Sequence, residues 1–215
     1  MKRVKQVSQK TIGRLSLYRR LLNRLVAEGA ENVYSHELAR LAGGTAAQVR
    51  RDLMAVGSIG SPKRGYEVRE LVERIGAFLD HPMGQRVALV GVGNLGRAIM
   101  AYFTGRRPKL AIVAAFDNDP AKVNRVIHGC RCYAVEEIAN VVARDDISVG
   151  IITVPAAQAQ AVADMLVDAG VRGILNFAPV PLHVPPEAYV EDIDMTMSLE
   201  KVAYFARQRN LERVT

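Results

Sequence analysis

Three groups of residues in this chain have types and spacing that could do chemistry. The first is the loop Gly91-Val92-Gly93-Asn94-Leu95-Gly96, with Asp117 placed 21 residues after Gly96. In such a loop Gly91 makes a tight turn, Gly93 lets backbone approach a pyrophosphate, and Gly96 allows close helix–strand packing; the following helix offers free N–H groups to the anion. Asp117 would accept hydrogen bonds from the adenosine ribose and repel a 2'-phosphate, which favours NAD(H), as NADH or NAD+, over its phosphorylated analogue. The second group is Thr45, Gln48, Arg50 and Arg51, whose amide and guanidinium groups can read base edges, followed by a basic tip at Lys63 and Arg64. The third is His128-Gly129-Cys130-Arg131-Cys132. It lacks the usual zinc spacing and a fourth ligand, so no metal is expected, and Cys130 and Cys132 read as reduced thiols.

A dehydrogenase needs a proton donor or acceptor at the hydride site. The chain has no Tyr-x-x-x-Lys, and His183, the one His near a ligand edge, reads as an exposed loop residue. No catalytic residue is therefore assigned, and a non-enzyme is expected. Two other readings stay open on the motifs alone: an NAD-dependent oxidoreductase with a basic appendage, and a CoA- or nucleotide-binding interaction module.

The elements that must position these residues follow from periodicity. Ile12, Leu15, Tyr18, Leu21, Leu22 and Leu25 recur at helical steps over residues 12–28, ended by Gly29. Ser35 can cap a second helix to Leu41, Gly43-Gly44 turns the chain, and Thr45 with Gln48 forms a capping box for a third. Helix, glycine turn and helix is helix-turn-helix grammar, with Val49 and Leu53 facing inward and Gln48, Arg50 and Arg51 outward. Residues 57–68 place glycines and Pro62 around Lys63 and Arg64, as in the wing of a winged helix. An amphipathic helix over 69–80 completes this domain.

Beyond a short linker, residues 86–90 form an apolar strand, the glycine loop leads into a helix over 97–103, and a second strand over 110–116 ends in Asp117. A strand over 147–154, a helix over 156–168 and a strand over 173–176 continue the alternation of a doubly wound parallel sheet. Val154-Pro155 and Asn176-Phe177-Ala178-Pro179 then fall at carboxyl ends of strands, where such sheets bind ligands. A last helix over 197–209 puts Leu199, Val202 and Phe205 on one face, which could pack on its own sheet or cross to a partner.

The predicted fold class is α/β: a winged helix-turn-helix domain at 1–80, a linker at 81–85, a Rossmann domain at 86–194 and a carboxy-terminal helix at 195–215. Charge agrees with the division. Of the net +7, residues 1–80 hold 15 Lys/Arg against 8 Asp/Glu, while residues 81–215 hold 14 of each. Residues 1–27 hold eight basic side chains and no acidic one, among them Lys2, Arg3 and Lys5. The first domain therefore suits a polyanion. Nine Pro and 17 Gly without repeats exclude collagen-like and low-complexity chains. No apolar run has the length of a membrane span, and the basic start meets no apolar signal core, so a soluble, cytoplasmic protein is expected.

Five segments, Gln48-Val49-Arg50-Arg51-Asp52-Leu53, the glycine loop, Phe116-Asp117-Asn118-Asp119-Pro120, Val154-Pro155-Ala156 with Ala159-Gln160, and Gly173-Ile174-Leu175-Asn176-Phe177-Ala178-Pro179, together resemble the Rex family of redox-sensing transcriptional repressors. The resemblance spans residues 8–205. It implies a homodimer that binds an inverted-repeat operator in double-stranded DNA, senses the NADH/NAD+ ratio and leaves the DNA when NADH binds, with the carboxy-terminal helix swapped into the partner subunit. It further implies major-groove and phosphate contacts by Arg50 and Arg51, a backbone contact by Arg14, and Tyr102 close to the nicotinamide. Asp194 would pair with Tyr102 in the NADH form and with Arg20 in the other.

Two positions depart from the family pattern: Pro62 stands where a wing arginine is usual, and Met195 where an aromatic residue often follows the acid. Oxidised nicotinamide is cationic and the reduced ring neutral, so an apolar pocket at Phe177 and Pro155 would penalise NAD+.

Overall fold

The computed structural model describes residues 7–106 and 109–211, which fall into two compact units, Met1–Pro82 and Met83–Thr215. Lys2, Arg3 and Lys5 lie outside the described residues.

In the first unit, helix α1 (Gln9–Ala27) starts three residues earlier than its apolar repeat, because Ser8 caps it by accepting from the Thr11 amide. Polar Gln9, Lys10 and Thr11 carry no hydrophobic signal and so hid the first turn. Strand β1 (Asn32–Val33) leads to α2 (Ser35–Ala42). Ser35 is not the cap: it is the first helical residue, and Glu37 closes the turn by accepting from the Tyr34 amide at 2.8 Å. Gly43, at φ +67°, ends α2 in the left-handed region. Thr45 caps α3 (Ala46–Ala55) by accepting from the Gln48 amide, but the reciprocal bond of a full capping box is absent among the described residues.

The wing is leaner than a two-strand hairpin. Its second arm, β2 (Tyr66–Glu67), pairs antiparallel with β1, while its first arm makes only the bridge Ser61–Gly65. Helix α4 (Val68–Leu79) packs against α1, and Leu15, Tyr18, Leu22, Val49, Leu53 and Ile75 close the core.

The second unit is built on a seven-stranded sheet. Its strands are β3 (Gln85–Val90), β4 (Leu110–Asp117), β5 (Val126–Ile127), β6 (Cys130–Ala134), β7 (Ile147–Ile152), β8 (Gly173–Asn176) and β9 (Tyr189–Asp192), in spatial order β5-β6-β4-β3-β7-β8-β9. All pairings are parallel except β5 with β6. Because both faces are covered, alternate residues of one strand serve different cores. Ala88 and Val90 meet α6 (Ile138–Arg144) and α7 (Ala156–Asp168), whereas Val87 and Leu89 meet α5 (Asn94–Phe103).

The chain runs from β3 to β4 and β6, then returns to lay β7 on the other side of β3. Ligands gather at such a switch point, at the carboxyl ends of the strands. Strands β5, β6 and β9 and helix α6 are short and were not anticipated. Helix α8 (Met195–Leu211) closes the unit, and Met195, Met197, Leu199, Val202, Tyr204 and Phe205 on it are all exposed. Its apolar face therefore does not pack on its own sheet. No helix of the described residues is long and apolar enough to cross a membrane.

Candidate functional site

At the switch point the loop after β3 is dictated by backbone crowding. Gly91 has φ +99°, and a Cβ there would lie 2.7 Å from the Thr153 carbonyl oxygen. A Cβ on Gly96 would lie 2.1 Å from the Gly91 carbonyl oxygen. Both positions exclude a side chain. At Gly93 nothing lies within 4 Å, so the loop leaves open space there. Helix α5 begins at Asn94 with Gly93 as its cap, earlier than Arg97, so the motif itself forms the first turn. The amides of Asn94, Leu95 and Gly96 consequently belong to the helix start, where N–H groups lack intrahelical acceptors and favour an anion.

A cavity of about 470 Å³ opens beside this loop, lined among others by Gly91, Gly93, Asp117, Val154 and Pro155. Asp117 is 6% exposed at the end of β4. Its Oδ2 accepts from the Val92 amide at 2.7 Å and from Lys122 Nζ at 3.1 Å, and its Oδ1 from the Asp119 amide at 2.9 Å. Burial acts to raise its pKa, but these donors together outweigh it and hold the carboxyl below the ordinary aspartate value. Asp117 is thus an ionised acceptor with lone-pair capacity left on Oδ1. Lys122, absent from the sequence expectations, has its own pKa raised by that hydrogen bond. Its signal was the loop Asp117-Asn118-Asp119-Pro120, which folds back through the Ala121 amide on Asp119 Oδ1. A buried acid needs a cation or amides, and Lys122 is the first cation downstream.

Other expected ligand residues lie outside this cavity's lining. Asn176 is fully buried, and its carboxamide is spent internally: it donates to the Val180 carbonyl and Asp192 Oδ1, both at 2.8 Å, and accepts from the Ala178 amide at 3.0 Å. It shapes the turn that carries Phe177, partly buried against the α5-side core, and exposed Pro179. Tyr102 is half exposed on α5, with the Arg106 guanidinium 4.4 Å from its ring centroid. Asp194 caps α8 by accepting from the Met197 amide at 2.8 Å. Arg20 is exposed on α1.

His183 is exposed, its backbone exchanging two bonds with the Gln160 side chain. Cys130 and Cys132 alternate on β6 and are free and buried. Burial, reinforced by Cys132, pushes the Cys130 thiol up to about 11. Among the described residues no group of three His, Cys, Asp or Glu could hold a metal.

In the first unit, Val49 and Leu53 of α3 are fully buried, while Arg50 and Arg51 are exposed. Arg50 Nη1 donates to Ser35 Oγ at 3.0 Å, which ties the start of α2 to α3. The wing tip is closed by reciprocal backbone bonds between Ser61 and Gly65 at 2.7 and 2.8 Å, and Tyr34 Oη donates to the Lys63 carbonyl. Gly65, at φ +70°, would place a Cβ 2.5 Å from the Val33 carbonyl oxygen. Pro62, Lys63 and Arg64 are presented to solvent on this tight support.

Arg14 is not a free surface cation. Its Nε and Nη2 donate to Asp52 at 2.6 and 2.8 Å, Nη2 also reaches Thr11 Oγ1 at 3.0 Å, and buried Tyr18 donates to the same Asp52 at 3.1 Å. Burial first, then the Asp52 charge, pushes the Tyr18 hydroxyl up to about 12. This network was missed, although Asp52 lies in sequence between inward-facing Val49 and Leu53, where a carboxylate must find partners.

Comparison with known proteins bears on both units. Residues 84–180 match the family model described as "CoA binding domain", and residues 6–53 the one described as "Putative DNA-binding protein N-terminus". A redox-sensing transcriptional repressor Rex from Carboxydothermus hydrogenoformans is 40% identical over 203 residues, 94% of this chain and 98% of the relative. The chain belongs to the Rex family. Two solved structures of RSP, a Rex-family repressor, superpose along nearly the whole length. RSP with β-NAD+ and operator DNA is 32% identical with a TM-score of 0.89, covering 97% of this chain and 96% of RSP. RSP with β-NADH, also 32% identical, has a TM-score of 0.85 over 96% and 97%. The Rex relatives are named repressors, so the oxidoreductase alternative falls away.

Proposed function

We propose that this protein is a DNA-binding transcriptional repressor that responds to the NADH/NAD+ ratio and is released from an inverted-repeat operator by NADH. The observation that carries the reading is the pairing, in one Rex-family chain, of a helix-turn-helix with exposed arginines and a glycine-loop cleft closed by an ionised Asp117. RSP supports the direction of the switch: its operator complex holds β-NAD+, and a separate structure holds β-NADH.

In this reading Gly91, Gly93, Asn94, Leu95 and Gly96 receive the pyrophosphate and Asp117 the adenosine ribose. Val154, Pro155, Tyr102, Asn176, Phe177 and Pro179 define the nicotinamide end, Asn176 by shaping its turn. Thr45, Gln48, Arg50 and Arg51 face the major groove and its phosphates, with Arg14, Lys63 and Arg64 on the flanking backbone. The protein works as a cytoplasmic homodimer. The apolar face of α8, exposed along its described length, is covered by the partner subunit. Arg20, Tyr102 and Asp194 form the switch, with Asp194 exchanging partners.

NADH need only prefer one dimer arrangement, and linkage requires operator DNA to weaken NADH binding by the same factor. The test is a gel-shift titration of an inverted-repeat duplex, selected by the protein from random sequence, against NADH and NAD+ at fixed salt. NADH should release the duplex and NAD+ should not; release by neither, or equally by both, overturns the reading.

A further inference from the structure

The Arg14–Asp52 pair joins α1 to α3, the helix that carries Arg50 and Arg51. Of the five N–H donors of Arg14, Asp52 and Thr11 take the one on Nε and both on Nη2. The two on Nη1 have no partner among the described residues. A cavity of about 420 Å³ adjoins the pair, lined by Ser8, Thr11, Arg14, Arg51 and Asp52 with Val7 and Ala55. It thus combines two guanidinium groups, two hydroxyls and the capped start of a 19-residue helix. Those are the donors that a phosphodiester takes.

Asp52 contributes no attraction for that anion, since its side chain is 4% exposed and paired. What it supplies is geometry. If Arg14 swung out to follow a displaced phosphate, it would leave a buried carboxylate with only the Tyr18 hydroxyl, a costly state.

We infer that Asp52, steadied by Tyr18, is a positioning residue for operator recognition: it fixes the Arg14 guanidinium across the α1–α3 seam so that one backbone phosphate is held at a set distance from α3. The inference rests on the DNA-binding reading above. Phosphate contacts set register, and base contacts read sequence only in that register. Loosening the clamp therefore harms discrimination more than attraction. Asp52→Asn also removes one negative charge and so raises the net charge of the DNA-binding unit by one, which favours any duplex.

The test compares Asp52→Asn and the wild-type chain on two probes, the selected inverted-repeat duplex and a random-sequence duplex of equal length, across a salt series. The variant should lose about tenfold in the ratio of selected to random affinity, while random binding holds or strengthens. A structural defect would weaken both probes together. Arg14→Lys keeps the charge but cannot hold both carboxylate oxygens, so it should repeat the loss of ratio and covers the case in which Asp52→Asn fails to fold. Tyr18→Phe should shift the ratio the same way by less. An unchanged ratio in the folded variants, or a parallel fall on both probes, overturns the clamp and leaves the repressor reading intact; a wild-type chain that selects no duplex sinks both.

Discussion

The two units place function in different parts of the chain. In the second unit the proposed site is written in backbone: Gly91 and Gly96 are positions where a single added carbon meets a carbonyl oxygen, and the groups proposed to receive the pyrophosphate are helix-start amides. In the first unit the proposed site is written in side chains, with Arg50, Arg51, Lys63 and Arg64 exposed outside the apolar core and Arg50 tied back to Ser35 Oγ. Charge follows the same division, because a helix start supplies partial positive charge without Lys or Arg, and that unit needs no excess of basic residues. Substitutions should therefore couple stability to function in the second unit and separate them in the first.

Gly96→Ala probes the strongest form of this contrast. The new methyl can be accommodated only if α5 moves off β3, which should cost about 3 kcal/mol of stability and abolish NADH binding together. Thermal melts and NADH titration check it, and wild-type affinity in a folded Gly96→Ala protein would break the backbone account.

Asp117→Asn sits between the extremes, since a side chain here serves a backbone-built site. Loss of the charge should weaken NADH by about 2 kcal/mol and raise the relative affinity for NADPH, while salt-dependent DNA binding stays as it was. Arg51→Ala marks the other pole. DNA affinity should fall by about 1–3 kcal/mol, with NADH affinity and melting temperature unchanged. Loss of both activities in either variant would erase the division of labour.

The same contrast explains what was legible in sequence. The glycine loop, Asp117, α3 and most strands could be read because each imposes a local rule: a residue that tolerates no Cβ, a cap, or a period of two or 3.6. Lys122, Tyr18 and the Asp52–Arg14 pair could not be placed that way. Asp52 meets Tyr18 and Arg14 across 34 and 38 residues, and Lys122, though five residues from Asp117, reaches it through an irregular loop that has no period to read. Asn176 shows the reverse error. Its position at a strand end suggested a ligand contact, yet its amide is spent on the turn beyond it. The short strands β5 and β6 escaped because two and five residues, Val-Ile and Cys-Arg-Cys-Tyr-Ala, are too few to display a period.

The smallest effect expected is an alkaline one, and it too should separate the units. Burial raises the Cys130 thiol to about 11, so the folded second unit keeps a proton that an unfolded thiol releases near pH 8.5. Between those values the unfolded state binds fewer protons, so stability falls as pH rises through the window. Tyr18, raised to about 12 against an ordinary value near 10, has the same sign in the first unit, but its window opens later. Hydrogen exchange followed from pH 8 to 10 should show the second unit loosening first, and Cys130→Ala should flatten that slope without touching the first unit. Simultaneous loosening would mean that the units do not titrate independently. A slope that survives Cys130→Ala would move its source to Cys132, whose thiol burial raises as well, or to another group, and Cys132→Ala would then separate the two.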